Sequence, residues 1–143
     1  MLKNLKTKAL LKSLWVYHLS TGSCNNCDIE ILDCLTPRFD IERFGMILVG
    51  SPRHADVLLV TGIMNRSCTP VAKRVYRQMA KPCVVVAVGS CSLGQGIFKG
   101  SYNAPIPVDE VLPVDAYIPG CPPKPEAIID GVVKLINKLK AKK

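Results

Sequence analysis

Three apolar runs of strand length in this chain, at 14–19, 83–88 and 114–118, each lead into a loop that combines a glycine with cysteine. The first leads to Gly22, Cys24 and Cys27, the second to Gly89-Ser90-Cys91, and the third to Pro119-Gly120-Cys121-Pro122-Pro123. A further run at 56–62 (Asp56-Val57-Leu58-Leu59-Val60-Thr61-Gly62) is apolar almost throughout, as a parallel strand covered on both faces must be. Met46-Ile47-Leu48-Val49 is a shorter apolar stretch that turns at Gly50-Ser51-Pro52. Helical segments fall between these runs. One runs from about Cys27 to Leu35 and is stopped by Thr36-Pro37, since the residue before a proline avoids the α region. Another covers 69–80, with Val71, Val75 and Met79 on one face. The last opens near Lys124-Pro125-Glu126, with Ile128, Ile129, Val132, Ile136 and Leu139 on one face. Residues 92–113, rich in glycine and proline, read as a long surface excursion.

Strands separated by helices make a doubly wound α/β parallel sheet, and ligands of such sheets sit beyond the carboxyl ends of the strands. Cys24, Cys27, Cys91 and Cys121 all fall on that edge, and the glycine in each loop lets the backbone bend tightly. The pair Cys24-Asn25-Asn26-Cys27 taken alone suits zinc, an iron–sulfur cluster or a thioredoxin-like disulfide. Structural zinc generally uses two close cysteine pairs, whereas Cys91 and Cys121 come singly from distant loops. That distribution favours a four-iron four-sulfur (4Fe-4S) cluster over zinc. Helix starts after Cys27 and Cys121 present positive dipole ends to such an anion, and Pro122 and Pro123 stiffen the loop.

The chain has 143 residues, 48% hydrophobic and 21% charged, which fits one globular domain. No run approaches a membrane span, and the lysine-bearing start lacks the apolar core of a signal peptide. The expected setting is cytoplasmic, where seven cysteines read as ligands or buried thiols rather than disulfides. The net charge of +8 is concentrated at the ends: nine of the 19 basic residues lie in 1–12 and 134–143. Between them the body is nearly neutral. Residues 1–12 form a basic N-terminal segment with near-helical spacing of Leu2, Leu5 and Ala9, and 13–143 form the single metal-binding domain. Basic ends suit an acidic partner or anionic headgroups; no aromatics interleave the lysines, so nucleic acid ranks last.

The remaining candidates read as structural. Cys34, beside Ile31, and Cys83, at a strand start, fit packing, while polar neighbours leave Cys68 open. His18 lies within a strand, Asp28 and Glu30 suit the start of a helix dipole, and His54 beside Arg53 fits packing or an interface. Proton transfer by Glu30 is a secondary reading. A flavin or nucleotide site is disfavoured, because the loose glycines at 94, 96 and 100 form neither a GxGxxG nor a Walker sequence.

Four ordered motifs carry a resemblance: Thr21-Gly-Ser-Cys24-Asn-Asn-Cys27-Asp-Ile-Glu30, the stretch Gly50-Ser-Pro-Arg53-His54 to Gly62, Gly89-Ser-Cys91, and Tyr117-Ile-Pro-Gly-Cys121-Pro-Pro. From about residue 14 onward the chain resembles the small subunit of membrane-bound, energy-converting nickel–iron hydrogenases, a relative of the complex I subunit that carries the terminal cluster. The resemblance implies a flavodoxin-like core and one proximal 4Fe-4S cluster on Cys24, Cys27, Cys91 and Cys121. It implies a nickel–iron centre in a separate large subunit only, a ferredoxin-like iron–sulfur subunit as electron partner, and membrane subunits that translocate ions. The chain itself is then a peripheral, non-autonomous electron relay on the cytoplasmic side of the membrane, with Arg53 and His54 near the cluster loops. The complex I relatives carry adjacent cysteines where this chain has Cys24-Asn-Asn-Cys27, which favours the hydrogenase branch over a quinone oxidoreductase. Two stretches depart from the family pattern: Gly94-Gln95-Gly96, where paired glycines are usual, and Met64-Asn65-Arg66-Ser67-Cys68.

Overall fold

The computed structural model describes residues 13–141, so the expectation of a helix over 1–12 lies outside the described residues. Five strands, β1 (Leu14–Ser20), β2 (Met46–Leu48), β3 (Val57–Thr61), β4 (Val84–Val88) and β5 (Ala116–Ile118), form one sheet. Every pair is parallel and the order is β2-β1-β3-β4-β5, the flavodoxin-like arrangement. The helices are α1 (Asn26–Asp33), α2 (Cys68–Gln78), α3 (Ser90–Gly94), α4 (Val108–Val111) and α5 (Pro125–Ala141).

Alternation along β3 divides the core into two layers. Val57 and Leu59 face α1 and α5, packing with Ile31, Cys34, Ile128, Val132 and Leu135. Leu58 and Val60 face the other way, onto Ala72, Val75 and Met79 of the α2 region and onto Val108 and Leu112. Full burial of an aliphatic side chain such as Leu58 contributes about 1.5–3 kcal/mol, which is why this run has no polar face.

Three sequence expectations need correction. On α2, Val71 is 45% exposed, and Ala72 takes the buried place between it and Val75. Leu135 joins the buried stripe of α5, whose Ile129 and Ile136 are only partly covered. The segment 92–113 is not a surface excursion throughout: it returns to the body, burying Ala104, Val108 and Leu112. Gln95 is the tie. Its side chain is buried and Nε2 donates to the Ala104 carbonyl at 2.7 Å, so a departure from paired glycines closes the loop on itself.

Candidate metal centre

At the carboxyl edge, β1 is locked to β3 before the first cysteine loop begins. The Thr21 amide and hydroxyl both donate to the Thr61 carbonyl at 2.9 Å. Gly62, at φ 84°, lies directly against the Ser23 amide, where any side chain would collide. The loop then passes Cys24, exposed, and turns through Asn25 at φ 74° into α1, whose second residue is the buried Cys27. Two further loops meet it. The Gly89 amide donates to the Ile118 carbonyl at 2.9 Å. The Ser90 amide and hydroxyl reach the Gly120 carbonyl at 2.7 and 3.0 Å, tying the Cys91 loop to the Cys121 loop. Gly89 stands where all three converge: a methyl group on it would lie 2.7 Å from Cys27 Sγ and 3.6 Å from the Gly120 carbonyl oxygen. Cys91 is half-buried and Cys121 is exposed, so the thiols open to the surface.

Charge on the neighbouring thiols acts on two of the four. Burial pushes the Cys27 thiol up to about 11, and negative charge on Cys24, Cys91, Asp28 and Cys121 acts in the same direction. Cys91 is raised by burial, then by Cys121 and Cys24. Two thiols held protonated in this way need a positive centre to become ligands. Among the described residues, no three His, Cys, Asp or Glu side chains close on a point that would suit a single metal ion. A cuboidal cluster takes one thiolate at each iron, so its ligands stand apart. The donor set, and the room that Gly89 leaves beside Cys27 Sγ, fit such a cluster.

The other candidates separate. Cys34 is buried, with Sγ 3.3 Å from the Glu30 carbonyl and 3.8 Å from that of Pro125, a packing role as expected. Cys83 is only half-buried, with Sγ accepting from Lys81 Nζ at 3.1 Å. Cys68 opens α2, its amide capped by Asn65 Oδ1 at 2.7 Å, which accounts for the polar run before it. Arg53 and His54 are not near the thiol edge. The His54 ring meets Trp15 edge-on at 6.4 Å, at the start of β1. Five residues of strand, roughly 17 Å, separate Trp15 from Ser20 at the thiol end.

Sequence reasoning missed one cluster. Asp28 does not merely face the helix dipole: its Oδ1 lies 2.9 Å from His18 Nε2 and accepts from Thr61 Oγ1 at 2.5 Å, while Oδ2 accepts from Ser20 Oγ at 3.2 Å. The signal was present in the alternation, since His18 and Ser20 share the face of β1 that α1 covers.

Fold and edge together define a parallel α/β domain that carries four cysteines on loops beyond the carboxyl ends of its strands. The chain belongs to the family of the 20 kDa subunit of NADH ubiquinone oxidoreductase, whose model matches residues 24–135. It is 52% identical over 132 residues to the probable membrane-bound hydrogenase subunit mbhJ of Pyrococcus furiosus, covering 92% of this chain and 79% of that protein. It is 46% identical to one of the subunits of the NADH-quinone oxidoreductase of Phocaeicola vulgatus, covering 92% of this chain and 65% of that one. A chain in the structure of an archaeal membrane-bound sulfane sulfur reductase superposes with a TM-score of 0.84 at 38% identity, over 96% of this chain and 76% of that chain. These relatives are oxidoreductase subunits, and membership implies an iron–sulfur cluster. No helix among the described residues is long and apolar enough to cross a membrane.

Proposed function

We propose that the chain is the electron-relay small subunit of a membrane-bound nickel–iron hydrogenase, holding a single proximal 4Fe-4S cluster on Cys24, Cys27, Cys91 and Cys121. Such a cluster, when bound, supplies reversible one-electron storage. The observation that carries the reading is the meeting of three cysteine-bearing strand-end loops at Gly89, with Cys27 Sγ against it. Electrons from a ferredoxin-like subunit pass across this domain to a nickel–iron centre in a large subunit, and membrane subunits couple the reaction to ion movement. The domain stands on the cytoplasmic side, bound peripherally.

The chain's own residues supply ligands, spacing and shielding. Pro123 is buried against Gly120, keeping the Cys121 loop in place. Cys24 and Cys121 are exposed, as expected of an edge that a partner subunit covers. The spacing Cys24-Asn-Asn-Cys27, together with 52% identity to a hydrogenase subunit, supports this branch over the quinone-reducing one. The quinone reading keeps one specific support, the 46% identity to a quinone oxidoreductase subunit. Iron and sulfide analysis of the seven single Cys→Ala variants tests the ligand set. Loss is expected at positions 24, 27, 91 and 121 alone, and full iron retention in Cys121→Ala would sink the assignment. Copurification of nickel with the assembled complex separates hydrogenase from quinone reductase.

A further inference from the structure

Asp28 follows Cys27 directly, yet its carboxylate is drawn back over the end of the sheet by groups from β1 and β3. Thr61 Oγ1 and Ser20 Oγ donate to its two oxygens at 2.5 and 3.2 Å, and His18 Nε2 lies 2.9 Å from Oδ1. His18 Nε2 also lies 3.0 Å from Thr61 Oγ1. Threonine has one hydroxyl proton, and here it goes to Asp28. The contacts from His18 to both neighbours therefore require the hydrogen on Nε2. The His18 and Asp28 side chains are only 21% and 13% exposed, so water screens the carboxylate weakly. An uncharged amide could accept the bonds at Oδ1 but not the one that Ser20 donates to Oδ2, so the full set of donors matches a carboxylate.

We propose that Asp28, clamped by His18, Thr61 and Ser20, is a positioning residue that lowers the reduction potential of the cluster held by Cys24, Cys27, Cys91 and Cys121. The inference rests on the cluster reading above. Reduction adds one electron, hence one negative charge, to a centre next to a fixed negative charge, and this disfavours the reduced state. The donors work in the opposite sense. They draw the carboxylate's charge toward themselves, so removing one leaves a stronger field at the cluster.

The test is a dithionite titration of the assembled complex at fixed pH, followed by electron paramagnetic resonance. The signal belonging to this chain is identified by its loss in Cys91→Ala. Asp28→Asn keeps the shape and removes the charge, and its midpoint is expected to move up. Thr61→Val and His18→Phe each remove a donor, and their midpoints are expected to move down. Opposite signs are the signature, since simple loosening of α1 would not produce them. If Asp28→Asn fails to retain the cluster, the two donor variants decide: a downward shift supports the inference and an unmoved midpoint overturns it. A signal present in the parent whose midpoint ignores all three substitutions overturns this inference alone. An unaltered complex with no signal attributable to this chain overturns the cluster reading and this inference with it.

Discussion

Cys34 shows how a cysteine in the same sequence comes to be inert. Burial, then the negative charge of Asp33 and Glu30, raises its thiol to about 11, and Sγ donates to the Glu30 carbonyl. The unfolded thiol ionises near 9.0, so between 9.0 and 11 the folded form holds a proton that the unfolded form has lost. The stability that Cys34 contributes is therefore fully present below pH 9 and falls as pH rises toward 11. Cys34→Ala is expected to cost about 1–2 kcal/mol near neutrality from the small cavity, to retain its iron, and to show a shallower alkaline loss. Urea unfolding of parent and variant at several pH values checks this; equally steep alkaline losses would contradict it. Gly89 makes the complementary case. At φ 90° and ψ 156°, a region that essentially only glycine adopts, an alanine costs about 1–3 kcal/mol by backbone strain, and its methyl would press on Cys27 Sγ. Gly89→Ala is thus expected to lose iron out of proportion to its change in melting temperature.

At the scale of elements, the buried runs were easy to read and the amphipathic ones less so. Strands β1, β3, β4 and β5 fall on their apolar runs, and along β3 burial on both faces leaves little room for a polar side chain. The thiol edge followed from topology alone, since every cysteine loop succeeds a strand. Periodicity could not phase α2 within a residue. Val71 and Ala72 are both apolar, and only contact with the sheet shows that the smaller one faces inward. Ala72→Leu is therefore expected to destabilise by about 1–3 kcal/mol through overpacking, while Val71→Ala stays within about 0.5 kcal/mol. Chemical denaturation of the two variants measures this, and a larger loss at position 71 would reverse the assignment. The segment 92–113 was illegible for a different reason. Its turns are signalled by glycine and proline, but its return to the core depends on Gln95 reaching Ala104, a contact that no local pattern encodes. Likewise the clamp on Asp28 joins residues from three elements, and only their arrangement around the sheet brings them together.

Among the described residues, the thiol edge and the segment that follows Cys91 stand open on the surface. Cys24 and Cys121 are exposed at the thiol edge, and the segment after Cys91 carries Ile97 and Tyr102 at 92% and 86% exposure. Large side chains so far out of the body, in the segment that follows Cys91, are expected to be covered if the proposed complex assembles. Covered, the edge excludes water and oxygen; bare, it leaves a cluster open to oxidative loss, so the isolated chain is expected to lose its colour in air. The relay role has a sharper test in the assembled complex. On the proposed reading Cys24→Ala removes one ligand and leaves the large subunit's own sequence unchanged, and it is expected to abolish ferredoxin-linked hydrogen evolution. Hydrogen–deuterium exchange at a nickel–iron centre needs no electron to cross this domain, so it is expected to survive in the same preparation. Nickel content equal to that of the parent shows that the complex has assembled. With nickel retained, undiminished ferredoxin-linked evolution would eliminate the relay role, whereas loss of evolution with exchange intact places the break in the electron path through this chain.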